Sequence, residues 1–486
     1  MSTVQEFNAF VKRLKIFQPS PTIYDSISGF SEFGPYGTTI KSNLIQAMRK
    51  AFRKAEFWEV EHPIVLPKNV WKASGHLDRF VDIIAESDRK VYRIDKIIEE
   101  QYPEIILTNR GLEYLSQCIQ EHDIIPKGNT EPLHDAKEYN LMMMTSVAGE
   151  EAGLRPETAT ATYLSFKDYY TLLRNTMPIK VFQYGKAFRN EVTSRQGLIR
   201  GREFEQLEAQ MFVLQEHKHE FPQFDNVKYM TFLFWSSPAQ QQETPPQRLA
   251  LEHALQAEIL SSPAYAYCLA VMAAVLDTIG LDQENVRLRQ HLPDEKAHYA
   301  IDAWDVEVKT EQYGWVEICG IHDRGTYDLG RHQEYSNKPL SVKNHMGENE
   351  IPNLLEIAFG IGRTMYCLLE LSFRTREGKN VLSLPKILSP IHAAIFPLVK
   401  KDGLVPIAQE LNERLLDDNF ISVYDEKGSI GKRYARMDEI GTPYCVTVDY
   451  QTKDDRTVTI RDRDTTDQYR ISLEEVPSEL AKQLRS

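Results

Sequence analysis

The chain has 486 residues, 42% of them hydrophobic, and a formal net charge of −13 at pH 7. That length supports a large core and two or three domains, and the acidic balance excludes a generally basic nucleic-acid binder while leaving room for a local basic channel. No apolar run reaches the length of a membrane span, and five scattered cysteines without a CxxC pair exclude a disulfide framework or a Cys-rich zinc site, so a reducing, cytoplasmic setting is expected.

Residues 1–16 predict an amphipathic helix with charges spread through it, lacking the apolar run of a signal peptide. A turn-rich segment follows, punctuated by Gly29, Gly34, Pro35 and Gly37. Apolar residues at helical spacing (Ile40, Leu44, Ile45, Met48, Phe52) then predict a helix from about 38 to 55. FWEVEHPIVLP (57–67) reads as a strand whose Pro63 marks an edge or interface. WKASGHLDRF (71–80) is a loop or helix start, and its lone His76 reads as structural. Residues 92–102 suggest a strand end entering a helix at Arg93, and 103–139 carry no clear pattern. NLMMMTSV (140–147) is an apolar strand with a buried methionine run. Beyond it, Thr158 is a plausible helix N-cap, and Glu157 before it fits a solvated first-turn acid.

Residues 180–213 carry the strongest chemical signal. Two runs with strand alternation flank a polar loop from about 192 to 201. On the return run, the two-residue period puts Arg202, Phe204, Gln206 and Glu208 on one face and Leu207, Ala209, Met211 and Val213 on the other. Arg189 and Glu191 share a face on the outgoing run. Arginine clamps phosphate in a bidentate manner, and an aromatic ring can stack on a base, which favours a nucleotide-binding sheet over a solvated surface hairpin.

Residues 214–282 look helical and variable, with a Pro/Gln loop, as an insertion between strands. Strands resume at 297–310 and 315–332 around a Tyr313–Gly314 turn, placing Glu317 on a strand with Arg324 and Asp328 beyond it. Residues 353–373 read as strand, glycine turn and helix, with Gly360, Gly362 and Arg363 forming a reasonable anion site. TREGKNVLSLPKILSP (375–390) breaks the composition and suggests a domain boundary. Alternating strands and helices follow it, predicting a small α/β domain with a mostly parallel sheet.

Taken together, these strings resemble the class II aminoacyl-tRNA synthetases, and within them the dimeric glycyl-tRNA synthetases. FRNE (188–191) with GLIRGREFEQLE (197–208) is similar to the class's second motif, the segment ending at Pro63 to the first, and FGIGR to the third. GFSEFGPYG, VWKASGHLDRF, YRID, LRPETA, AHYAIDAWDVE, WVEICGIHDRGTYDL and GSIGKRYARMDEIGTPYCVTV are similar to strings of the glycyl branch, and they cover nearly the whole chain. The resemblance implies an α+β architecture. Residues 1–385 would form an antiparallel catalytic sheet flanked by helices, and 386–486 an α/β anticodon-binding domain. The implied reaction activates glycine with ATP to glycyl-adenylate, then transfers it to the 3′ end of tRNA(Gly). Glycine's carboxylate is ionised near neutral pH, so the step demands positioning and charge stabilisation rather than a general base.

By the same resemblance, Arg189 and Arg363 are the catalytic arginines, on the α- and γ-phosphates. The implied ATP site comprises Arg189, Asn190, Glu191, Ile199, Arg200, Gly201, Arg202, Glu203, Phe204, Glu317, Ile318, Gly360, Ile361, Gly362 and Arg363. Phe204 would stack on adenine, Glu191 would orient its amino group, and Glu317 would coordinate Mg²⁺. The glycine site would draw on Arg93, Glu157, Phe204, Glu205, Gln206, Leu207, Glu208, Arg324, Glu356 and Ala358. A homodimer is expected, and no membrane. Two departures stand out: Glu356-Ile357-Ala358 where the family usually reads Glu-Pro-Ser, and Thr160-Ala161 where it reads Gln-Gly. A synthetase-derived nucleic-acid-binding accessory protein, or a class II enzyme for another small amino acid, are the alternative readings.

Overall fold

A computed structural model describes residues 3–24, 26–105, 107, 111–192, 197–293, 295–296 and 300–484. Residues 193–196 of the expected polar loop and 297–299 of the AHYAIDAWDVE string lie outside the described residues.

The main body is built on a nine-stranded sheet. Its strands in chain order are β1 (Trp58–Glu59), β2 (Ile179–Phe188), β3 (Glu203–Val213), β4 (Thr231–Trp235), β5 (Gln247–Ala250), β6 (Val286–Gln290), β7 (Asp302–Thr310), β8 (Gly314–Gly325) and β9 (Asn353–Gly360). In space the order is β5-β4-β6-β7-β8-β9-β3-β2-β1. Only the β1–β2 and β4–β6 pairings are parallel. One face is apolar. Leu207, Ala209, Met211 and Val213 of β3 join Val306, Ile321, Ile357 and Phe359 in one core. Helices covering that face include α1 (Pro35–Lys54), α2 (Pro263–Ile279) and the helix Ile361–Ser372 that follows β9. The α2 helix is apolar nearly all round, which suits an interior helix. Ser262 caps its start through a bond from the Tyr265 N–H, and Gly280 ends it at φ 70°.

Several expectations change. The 214–282 segment is not only helical: it supplies β4, β5 and the buried α2, because its apolar residues at 231–235 alternate between faces. The 57–67 segment is broken at Pro63 into β1 and a separate strand, Val65–Pro67. The glycines at 34–37 do not all lie in a turn, since Pro35 and Gly37 form the first turn of α1. The methionine run is buried only at Met142, and Met144 is exposed on its strand. The patternless 103–139 region holds a helix, Leu112–His122, and a strand, His134–Asn140, which pairs with Val81–Ser87.

The composition break at 375–390 is a hairpin, Phe373–Arg376 with Lys379–Leu382, and Leu382, Leu384 and Leu388 pack into the main core. Beyond it a five-stranded sheet has its own core. Its strands are β10 (Ala393–Pro397), β11 (Ser422–Tyr424), β12 (Tyr444–Val448), β13 (Thr457–Asp462) and β14 (Gln468–Ser472), in the order β11-β10-β12-β13-β14. The mostly parallel expectation is corrected. β10 pairs in parallel with β11 and β12, while β12–β13 and β13–β14 are antiparallel, since β13 and β14 are joined by a short turn rather than a helical crossover. Among the described residues no helix is long and apolar enough to cross a membrane.

Candidate active site

The polar face of the main sheet carries the site, and strand register assembles it. Glu208 lies opposite Ala358, Ala358 opposite Gly320, and Gly320 opposite Asp305. Directly opposite residues in antiparallel strands share a face, so this row runs carboxylate, methyl, hydrogen, carboxylate. A second row runs Gln210, Glu356, His322, Ala303. The two small residues at the centre of the first row make a floor. Above it opens a cavity of about 310 Å³.

One end of the cavity is basic and aromatic. The Arg189 guanidinium lies 5.2 Å from the Phe204 ring centroid and 5.4 Å from Phe80, and its Nε donates to the Pro156 carbonyl at 3.0 Å. Arg363 donates from Nε to the Ile199 carbonyl at 2.9 Å and from Nη1 to Glu317 Oε2 at 2.7 Å. The charge of Glu317 raises the Arg363 pKa. Desolvation in the cavity pushes the part-exposed Glu317 carboxyl up, but Arg363, with His322 and His291, offsets it, so Glu317 stays below its ordinary range. Arg200 clamps Glu191 Oε2 at 2.8 and 2.5 Å. Glu317 also offers the hard oxygen donors that phosphate-bound Mg²⁺ takes, so this donor set fits that ion.

The other end is a cluster of buried carboxylates. Glu356 accepts from Tyr163 Oη at 2.9 Å and from Arg324 Nη1 at 3.3 Å, while Arg324 grips Asp328 at 2.8 and 3.0 Å. Burial raises the Glu356 pKa, and Arg324 with His322 brings it below normal. Glu157 behaves likewise: burial opposes ionisation, and His76, Arg324 and the Thr160 hydroxyl at 2.6 Å overcome it. Glu208 differs. Burial, then the charges of Glu356 and Glu157, push it up to about 8. Gln206 Nε2 donates to it at 2.8 Å and Thr158 Oγ1 at 2.5 Å. The Thr158 hydroxyl therefore serves Glu208 and not the helix it precedes, which has no side-chain cap.

Of the residues singled out from sequence, the cavity wall brings together Glu157, Arg189, Glu191, Ile199, Arg200, Gly201, Phe204, Glu205, Gln206, Glu208, Glu317, Ile318, Arg324, Glu356, Ala358, Gly360, Gly362 and Arg363. Others lie off it. Arg93 is held by Asp95 at 2.7 Å and Asp82 at 3.2 Å. Leu207 and Ile361 are in the core behind the sheet. Asn190, Arg202 and Glu203 flank the cavity without lining it: Arg202 Nε bonds the Glu191 carbonyl, and Glu203 pairs with Lys186. Glu205 lines the wall, but its carboxylate turns to Lys41 and Tyr184. Sequence reading missed Leu198, His291, Asp305, Gly320 and His322. For Asp305 and His322 a signal existed in the strand alternation. His76, read as structural, stands 3.8 Å from Glu157.

Two families of known domains match the chain. Residues 143–236 match the tRNA synthetase class II core domain (G, H, P, S and T), and residues 392–483 match the anticodon binding domain. The glycine–tRNA ligase of Thermococcus gammatolerans is 38% identical across 94% of this chain and 94% of its own length. The glycine–tRNA ligase of Methanocaldococcus jannaschii is 35% identical across 98% of both. This chain belongs to the glycine–tRNA ligase family. It is thus an aminoacyl-tRNA ligase of the class II type. The Thermococcus alignment spans 541 positions against the chain's 486 residues, so that ligase carries segments this family member lacks. Among solved structures, the RNA binding domain of a threonyl-tRNA synthetase from Cryptosporidium parvum superposes with a TM-score of 0.62 at 19% identity, over 98% of this chain and 97% of that one. A Giardia lamblia prolyl-tRNA synthetase, solved with prolyl-adenylate, gives 0.61 at 16% identity over 98% and 75%. These two likenesses bear on the fold alone.

Proposed function

We propose that the cavity activates glycine with ATP and charges tRNA(Gly), the nucleotide lying at the Arg189–Phe204–Arg363 end and the amino acid at the carboxylate end. One observation carries the reading: three carboxylates, Glu208 and Glu356 buried and Glu157 largely so, gather around a floor of Ala358 and Gly320, where Arg324 on Glu356 is shared with Asp328 and the other basic partners are the histidines His322 and His76. An ammonium group supplies the missing positive charge. A buried carboxylate cluster without it costs several kcal/mol, on the order of what breaking a buried ion pair costs. Selectivity against larger amino acids then rests on exclusion around Cα.

Adenylate formation follows from placement. The ammonium anchors the amino acid, and its ionised carboxylate is presented to the α-phosphorus. Arg189 stabilises the charge developing on the α-phosphoryl oxygens, and Arg363 takes the far phosphates. Phe204 offers a ring face to adenine. Glu317, already oriented by Arg363, would hold Mg²⁺, which supplies charge neutralisation to the phosphates. No proton need be abstracted, because glycine's carboxylate is already ionised near neutral pH. Residues 1–385 act as the catalytic unit and 386–486 as the tRNA-reading unit. The exposed Trp58 on the edge strand β1, with Ile64 and Val65 exposed further along the same segment, supports a homodimer through that surface, and a cytoplasmic location accords with cysteines that are all free.

Measuring ATP–pyrophosphate exchange with glycine, alanine, serine and proline tests this. Exchange is expected with glycine. Exchange with alanine or serine but not glycine would reassign the amino acid, and none at all would leave a non-catalytic tRNA-binding protein.

A further inference from the structure

We propose that the wall of this cavity also binds a divalent transition-metal cation of the Zn²⁺ class, on His291, Asp305 and His322. One ligand atom from each lies within 4.8 Å of the others. Sheet register brings them together. His322 on β8 is opposite Ala303 and Asp305 opposite Gly320, so the two are diagonal neighbours on one face. His291 follows β6 and bonds through its N–H to the Ala303 carbonyl at 3.0 Å, which continues the row.

Three further features point to a cation. His322 Nδ1 lies 2.9 Å from Glu356 Oε1, an arrangement in which the ring donates Nδ1–H and leaves the Nε2 lone pair for a metal. Metal-binding histidines are commonly oriented by a carboxylate in this manner. His291 Nε2 lies 2.9 Å from Asp305 Oδ1, where a metal ion would replace the shared proton, and its Nδ1 is buried without a hydrogen-bond partner. Gly320 makes room: a Cβ there would stand 2.8 Å from His322 Cε1. The glycine is needed for the ring beside it, since its backbone is not in the left-handed region.

The donor set selects the class of ion. Two imidazoles and one carboxylate suit Zn²⁺ and its first-row neighbours, whereas Mg²⁺ prefers oxygen alone. Three protein ligands leave a fourth position open, as in catalytic rather than structural zinc sites. Donors about 2.1 Å from a tetrahedral ion stand roughly 3.4 Å apart, so the site closes by a small rotation of the half-buried His322 ring. Because all three residues line the cavity, the open position would take water or a nitrogen or oxygen donor of a ligand bound there. The cation site stands whatever amino acid the enzyme charges.

The test uses the full chain, free of affinity tags, stripped with a chelator and reloaded with ZnCl₂ or CoCl₂. Expected are one equivalent of metal per chain by elemental analysis, visible ligand-field absorption of a low-symmetry Co²⁺ site, and X-ray absorption fine structure showing imidazole scattering in the wild-type protein. Excess Mg²⁺ should not displace the ion. His322→Ala should weaken binding roughly tenfold or more. Gly320→Ala, which displaces the ring without removing a donor, should do the same, and both are checked for folding by circular dichroism melts. His134→Ala, at an exposed position elsewhere, should bind as the wild type does. Absence of stoichiometric metal, absence of imidazole scattering, displacement by Mg²⁺, or wild-type binding in both site variants would each overturn the proposal. Loss of exchange activity with intact metal binding would instead count against the glycine reading alone.

Discussion

Glu208 holds a proton that most carboxylates have lost, because burial and the charges of Glu356 and Glu157 oppose its ionisation, with the Thr158 hydroxyl and then Arg189 as partial counterweights. Its folded pKa, about 8, lies above that of the unfolded chain, so the free protein binds an extra proton in between. Stability from this group therefore falls as pH rises from the ordinary carboxylate range toward about 8. Ammonium binding reverses the preference and expels the proton. Glycine affinity should thus rise with pH by up to about tenfold per unit and level off above the Glu208 pKa, with proton release visible by calorimetry in buffers of different ionisation enthalpy. Glu208→Gln should weaken glycine binding and flatten that profile. An unchanged slope in the variant would rule Glu208 out as the titrating group. At the other end of the cavity, Arg189→Ala should lower ATP–pyrophosphate exchange by about 10²–10³-fold, the scale of losing one charge-stabilising donor, while glycine binding persists.

Among the elements, the α1 helix shows how one atom fixes a packing geometry. A Cβ on Gly37 would lie 1.8 Å from the Ile16 carbonyl oxygen, a backbone atom that cannot rotate away. Gly37→Ala should therefore destabilise the protein by about 1–3 kcal/mol, read as a lower midpoint in thermal or urea unfolding. The hairpin β2–β3 and the β9–helix turn were legible from alternation and glycine placement, because each is a local pattern. Asp305 and His322 were not legible as one site, since the sixteen intervening positions include a hairpin and a bulge between Val306 and Glu307 that resets the register. Arg93 misled for the converse reason: its string resembles a functional one, but its charge is satisfied locally by Asp82 and Asp95.

For the whole molecule, the link between the two cores combines apolar packing of Leu14 and Tyr36 against the C-terminal unit with a few ion pairs. Asp438 accepts from Arg461 at 2.8 and 3.0 Å and from Arg376, on the hairpin of the main body, at 2.5 Å. Arg463 bonds the Leu384 and Gly441 carbonyls at 2.7 and 2.8 Å. Asp438→Asn leaves buried arginine charge uncompensated and should cost about 3–5 kcal/mol, melting the C-terminal domain first in differential scanning calorimetry. The exposed Trp58, Ile64 and Val65 lead to a second expectation: sedimentation velocity should show a dimer that Trp58→Asp converts to monomer. A monomeric wild type would leave that apolar edge without the partner proposed for it.

Local pattern determined much of this protein. Alternation, glycine turns and long motif strings were enough for the sheet hairpin, the helix after β9, the alternating C-terminal elements and the family. Those features depend on residues near one another in sequence, where period and steric preference act directly. Tertiary structure decided the rest. It set the strand order that lines up Glu208, Ala358, Gly320 and Asp305, the burial that holds a proton on Glu208, and the meeting of His291, Asp305 and His322. Register between distant strands and the loss of water around a charge are properties of the packed molecule, and no window of sequence contains them.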